Sequence, residues 1–168
     1  MNSIAAFEKV GYNVFLDWCK KEGMGSENAK AVYDSIKLPR RATVGSAGYD
    51  FFSPFNITVE AGGSVVIPTG IRCHMDEGWV LMLFPRSGLG FKTGMHLANT
   101  VGIIDADYYY SDNEGHILVK IVNDSSLAAN LTLQSGGAFC QGIFLPFGIA
   151  EGDDTSEIRN GGFGSSGR

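Results

Sequence analysis

The chain has 168 residues, of which 44% are hydrophobic and 18% charged, with a formal net charge of −5. These values describe one globular domain with room for a proper core, and no basic field of the kind that gathers nucleic acid. No apolar run approaches the ~20 residues of a membrane span, and the opening MNSIAAFEKV lacks the basic stretch and long apolar core of a signal peptide.

Residues 1–35 read as a partly helical N-terminal extension. In "YNVFLDWCKKEG" the side chains of Phe15, Trp18 and Cys19 recur at helical spacing, Gly23 stands where that helix would stop, and "SENAKAVYDSI" predicts a second helix. From Ile36 the pattern turns to β. "FNITVEAGGSVVIPTGIRCHMDEGWVLMLFP" gives short β-branched or apolar runs cut by Ala-Gly-Gly, Pro-Thr-Gly and Asp-Glu-Gly turns, and "HILVKIVN" and "ANLTLQSGGAFCQGIFLPF" continue the series. Short strands at such regular spacing predict an all-β sandwich or jelly-roll-like barrel over residues 36–158. Residues 159–168, "RNGGFGSSGR", cannot pack as a core element, yet they carry one large aromatic side chain. Such a tail is either a flexible end or a flap that folds over something flat and anionic.

Several chemistries are excluded by motif. There is no GxxxxGKS/T phosphate loop, no CxxC, and no HxE followed by PCxxC of the zinc deaminases. His74, His96 and His116 are scattered without ligand spacing, and a lone histidine reads as a satisfied strand or turn residue. Cys19, Cys73 and Cys140 are odd in number and far apart, which reads as free thiols in a reducing cytoplasm. Two polar clusters remain. The turn "PRSGLG" (Pro85 to Gly90) offers a guanidinium, a hydroxyl and glycine amides, which suits a phosphate cradle or a tight turn with a surface arginine. In "GIIDADYYYSDNEGH" strand alternation sends Asp105 and Asp107 to one face, where they repel unless a cation or water network uses them; the alternative is an acidic hairpin end in solvent.

Taken in order, "GSAGYDFFSP", "PRSGLG", "NTVGIIDADYYY", "GGAFCQGIF" and "NGGFGSSG" resemble the five signature motifs of the trimeric dUTPases, in a phage- and Firmicute-like branch, from about Ile36 to the end. The resemblance implies a jelly-roll-like β fold with a short helical N-terminal extension, a cytoplasmic homotrimer with shared active sites, and Mg²⁺-dependent hydrolysis of dUTP to dUMP and pyrophosphate. It also implies roles for individual residues. Asp105 matches the aspartate that activates the attacking water, Asn99 the asparagine that reads uracil, Gly102 the glycine of the same motif, and Tyr108 the ring packed on the deoxyribose. Arg86, Ser87, Gly88 and Gln141 match phosphate-binding positions. Asp50 matches the aspartate that reaches Mg²⁺ through water. Phe163 matches the tail aromatic that stacks on uracil, and Gly164, Ser165 and Ser166 match the tail residues that close over the nucleotide and hold its terminal phosphate.

Three features depart from the family pattern. Gly136-Gly137-Ala138 stands where Asp-Arg commonly follows the first glycine, Arg159 lies one residue closer to GGFG than usual, and the third motif is extended by "YYSDNEGH". The resemblance leaves two rivals. A dCTP deaminase shares the fold and trimer but carries a catalytic glutamate and no such stacking tail. A nucleotide-dependent regulatory protein would reuse the fold, with residues 1–35 contacting a partner.

Overall fold

The structure is a computed structural model that describes residues 3–24, 28–124, 129–157 and 159. Its elements run β1 (Ala5–Lys9), α1 (Tyr12–Lys21), α2 (Ala29–Ser35), β2 (Arg40–Arg41), β3 (Tyr49–Phe52), β4 (Ile57–Val59), β5 (Ser64–Pro68), β6 (Ile71–Met75), β7 (Trp79–Pro85) and α3 (Ser87–Thr93). They continue with β8 (His96–Leu97), β9 (Gly102–Ile104), a 3-10 helix (Ala106–Tyr110), β10 (Leu118–Val122), β11 (Leu131–Leu133) and β12 (Ala138–Pro146). The predicted all-β jelly-roll-like class agrees with this arrangement. Among the described residues every pairing is antiparallel, in sheets ordered β2-β3-β12-β7-β9, β5-β10-β8, β11-β4 and β1-β6.

The strands alternate as half-buried strands should. In β7 the inward Leu81 and Leu83 are buried, and in β6 Ile71, Cys73 and Met75 are buried while His74 between them is exposed. Ile67, Leu97 and Ile121 of the three-stranded sheet join Phe51, Leu81, Leu83, Phe139 and Cys140 of the five-stranded one in a single apolar cluster. Each large side chain fully buried there contributes roughly 1.5–3 kcal/mol.

The N-terminal segment belongs to the same core. The two helices occur where the spacing places them, with Phe15 and Cys19 fully buried and Gly23 just past the end of α1 at φ +68°. The strand β1 was not expected. It pairs with β6 from Ala5↔Met75 to Lys9↔Ile71, and Phe7 packs its ring 5.3 Å from Tyr49, 5.6 Å from Phe51 and 5.7 Å from Phe144. Its sequence, AAFEK, is too short and too weakly alternating to be read as a strand; the open edge of β6 organises it.

One glycine makes this docking possible. Gly70, between β5 and β6, has φ +71°, and a Cβ there would overlap Ile36 Cδ1 and stand 3.2 Å from Phe15 Cδ2. Only a residue without a side chain lets α1 and Ile36 close over the turn. The Gly70 carbonyl accepts from Val10 N–H at 3.0 Å and its N–H donates to His116 Nε2 at 2.9 Å.

Two local expectations are corrected. "PRSGLG" is the start of α3 rather than a tight turn. Two glycines inside seven residues are poor helix formers, but Leu89 packs against the core, Thr93 Oγ1 donates to Leu89 O at 2.7 Å, and Gly94 closes the helix at φ +69°. Strand β9 ends at Ile104, so Asp105 and Asp107 are not alternate positions of one strand. Asp105 stands just before the 3-10 helix, its side chain making no capping hydrogen bond, and Asp107 sits in the first turn.

Candidate active site

A cavity of about 640 Å³ opens beside β9 and brings together four residues singled out from the sequence: Asn99, Gly102, Asp105 and Tyr108. Its floor and walls include Leu83, Leu97 and Leu118, with Trp18, Lys120 and Arg159 also reaching it. Asn99 stands in the tight connection from β8 to β9. There Val101 N–H donates to Asn99 O at 2.6 Å and Thr100 adopts φ +65°. A β-branched residue in the left-handed region is costly, and such strain collects at ligand clamps. Gly102 lies opposite Leu83, where a Cβ would come within 3.1 Å of Leu83 Cβ, so this position lets β9 lie close on β7.

Tyr108 is buried, and its hydroxyl is held at both lone-pair and proton sides. It donates to His116 O at 2.9 Å and accepts from Asn113 Nδ2 at 2.8 Å. Burial pushes its phenol above the ordinary value, against the opposing pull of Asn113 and the Arg159 guanidinium. Behind it, His116 is fully buried beside the Phe15 and Trp18 rings, 6.4 Å from each. Desolvation takes its imidazole down to about 3. The ring is therefore neutral, and because Nε2 accepts from Gly70, the proton sits on Nδ1. Among the described residues that Nδ1 has no hydrogen-bond partner.

The two aspartates converge after all, on a cation. Arg159 Nη2 donates to Asp105 Oδ2 at 2.5 Å and Arg159 Nε to Asp107 Oδ1 at 3.0 Å, with the guanidinium 5.9 Å from the Tyr108 ring centre. The repulsion expected of two neighbouring carboxylates is relieved by this fork.

The other predicted residues form a second group. Asp50 on β3 pairs with Arg86 (Nε to Oδ1, 3.0 Å), and Gln141 on β12 lies opposite Asp50 in register while its Nε2 donates to Pro85 O at 3.3 Å. A Cβ on Gly48 would come within 2.5 Å of Gln141 Oε1. Ser87 and Gly88 open α3 next to Arg86, and a Cβ at Gly88 would meet nothing within 4 Å.

The two groups are far apart along the chain's own sheet. Ile104 pairs with Leu81, so Asp105 falls at the level of Val80, six residues along β7 from Arg86. At about 3.3 Å per residue that is about 20 Å. Phe163, Gly164, Ser165 and Ser166 lie outside the described residues. Trp18, Lys120 and Asn113 escaped the sequence reading. Helical spacing put Trp18 beside Phe15 and Cys19, but periodicity alone does not separate a cavity wall from a core position.

The family model described as dUTPase matches residues 34–167. The chain is 40% identical over 135 residues to the deoxyuridine 5'-triphosphate nucleotidohydrolase of Lactococcus lactis, covering 79% of this chain and 89% of the relative. It is 39% identical over 139 residues to that of Escherichia coli, covering 78% and 87%. Among solved structures, the dUTPase from Streptococcus mutans superposes with a TM-score of 0.63 at 40% identity, covering 68% of this chain and 89% of that one. A dUTPase from phage phi11 of S. aureus, in which a structural Mg(II) ion is coordinated, superposes with a TM-score of 0.64 at 21% identity, over 94% of this chain and 99% of that one. The latter likeness concerns the fold, and it extends over the N-terminal segment. With the motifs in order, the matched span and relatives at this identity, the chain belongs to the dUTPase family.

Proposed function

We propose that the chain hydrolyses dUTP to dUMP and pyrophosphate, with the nucleoside in the cavity beside β9. The observation that carries this reading is the convergence of Asn99, Gly102, Asp105 and Tyr108 on that one cavity. The Asn99 amide offers a donor and an acceptor to a base edge, and the strained connection fixes its position. The Tyr108 ring, held by Asn113 and the His116 carbonyl, makes a rigid wall under the sugar that leaves no space for a 2′-hydroxyl. Asp105 accepts a proton from water as that water attacks the α-phosphorus, and pyrophosphate departs. Arg159 holds the Oδ2 edge of Asp105, so Oδ1 receives the water.

Arg86, Ser87, Gly88 and Gln141 bind the phosphates. A triphosphate is far shorter than the about 20 Å between Asp105 and Arg86 along β7, so one chain does not supply both groups to one substrate. The reading is therefore a homotrimer in which neighbouring chains complete each site, as symmetric assemblies allow. Phe163, Gly164, Ser165 and Ser166 then form the lid over base and terminal phosphate, the glycines keeping it mobile for product release.

For magnesium the donor set is sparse. Among the described residues no group of three or more His, Cys, Asp or Glu could hold a metal ion, and Asp50 already has one oxygen on Arg86. Such a set would suit Mg²⁺, which keeps much of its own water, and Asp50 is the carboxylate that would reach the ion through that water. When bound, the ion would supply positive charge against the phosphates. A cytoplasmic setting is supported by three buried, unpaired thiols, with burial pushing Cys19 to about 11 and Cys73 to about 12.

Pyrophosphate release from dUTP and ammonia release from dCTP, measured side by side, test the assignment. Turnover of dUTP alone is expected. Ammonia from dCTP would establish the deaminase instead, which the aspartate at position 105 disfavours. A regulatory second role is tested by partner pull-down with and without residues 1–35.

A further inference from the structure

We infer that Trp18, on the N-terminal helix, is a nucleoside-binding residue of this site, so that α1 is part of the active centre. The inference rests on the reading that dUTP occupies the cavity beside β9. Trp18 lies outside the span that the family model matches, yet it lines the same cavity as Asn99, Asp105 and Tyr108. Among the described lining residues Trp18 and Tyr108 are the two aromatic side chains. Such planar, apolar surfaces bind a base or sugar face without demanding a particular edge.

The helix that carries the indole is anchored to the core and to the sheet. Phe15, one turn earlier on α1, is fully buried and stacks on Phe55 at 6.0 Å with 6° between the planes. Cys19, the next residue, is fully buried. The helix is tied to the sheet by β1 on β6, by Val10 on Gly70, and by Tyr33 Oη donating to Val10 O at 2.6 Å. Trp18 also meets His116 edge-on at 6.4 Å, and the His116 carbonyl is the group that receives the Tyr108 hydroxyl. The two aromatic walls are thus set by one buried histidine. Lys21 Nζ lies 4.2 Å from the indole centre, which occupies one of its faces. The ring is only partly buried, so part of it remains for a ligand. A wall fixed before binding loses little freedom when the nucleotide arrives.

The chain has two tryptophans, Trp18 and Trp79, which makes a direct test possible. In a Trp79→Phe protein every change of tryptophan emission reports Trp18. Addition of dUMP should change that emission saturably, with a midpoint equal to the Kd measured by calorimetry, and inorganic pyrophosphate should leave it unchanged. In steady-state assays Trp18→Leu should raise KM for dUTP about tenfold, the scale of one lost aromatic contact, with kcat within about twofold, while Trp18→Phe should recover most of the loss. Emission indifferent to dUMP, in a protein that calorimetry shows to bind it, would overturn the inference even if Trp18→Leu failed to fold. An unchanged KM in a folded Trp18→Leu would overturn it as well. If the unsubstituted protein neither turns over dUTP nor binds dUMP, the functional reading itself fails and this inference falls with it.

Discussion

The buried histidine behind the site ties fold stability to pH in a way that can be measured. His116 is fully buried, and desolvation takes its imidazole from 6.5 in a solvated chain to about 3. A folded pKa below the unfolded one means that the unfolded chain binds the extra proton first. The stability contributed by keeping the ring neutral is therefore complete above pH 6.5 and drains away as pH falls toward 3. Between pH 7.5 and pH 5 the unfolded state gains about 2 kcal/mol from this proton alone, a figure that holds for any folded pKa below about 4. Protonation in the folded state would also destroy the lone pair that receives Gly70 N–H, at the turn where α1 docks. The variant His116→Gln retains an acceptor and does not titrate. Urea unfolding of both proteins at one fixed protein concentration, at pH 7.5 and pH 5, should show the parent losing about 2 kcal/mol more than the variant. The comparison is between pH values, so a uniform cost of the substitution cancels. Parallel losses would mean that His116 is solvated or charged in the folded protein, and the account of its burial would be wrong.

Asp105→Asn should lower kcat by ~10² or more while dUTP still binds, since the amide cannot take the proton; near-normal turnover at saturating dUTP would shift the role to another group, with Asp107 first. Tyr108→Ala should narrow the preference for dUTP over UTP even where total activity falls, and an unchanged ratio of kcat/KM values would remove the ring from sugar selection. An Asp105→Asn chain and a chain carrying Arg86→Gln with Ser87→Ala should each be nearly inactive alone, yet co-refolded in equal amounts they should regain activity in about a quarter of sites. No recovery in mixed oligomers verified by native mass spectrometry would refute sites shared between chains.

Much of the frame was legible because it depends on local rules. The turns at Ala61-Gly62, Thr69-Gly70 and Glu77-Gly78 cut the strands where the residues say they should, and Phe15 and Cys19 mark the buried stripe of α1. The motif order led directly to Asn99, Gly102, Asp105 and Tyr108, which share a cavity. What could not be read depends on contacts between distant segments. AAFEK becomes a strand because β6 offers an edge, and a glycine-rich stretch becomes α3 because Leu89 has a core to pack against. Trp18 reaches the cavity because Gly70, some fifty residues away, lets the helix sit down.

The separation of the two polar groups has the same character, one level up. Asp50, Arg86 and Gln141 cohere through β3, β12 and the end of β7, while Asp105 and Tyr108 cohere through the 3-10 helix and His116. Each group is internally braced, so each side chain is set before any substrate arrives. Such bracing matters for catalysis only if the groups then meet around one nucleotide, and about 20 Å of β7 keeps them from meeting within a chain. The proposed trimer resolves this without bending either group: symmetry sets the sugar-reading wall of one chain against the phosphate-binding turn of the next. Positioning precision in the site would then depend on the subunit interface as much as on the core. Substitutions that loosen the assembly should accordingly lower turnover before they unfold the chain.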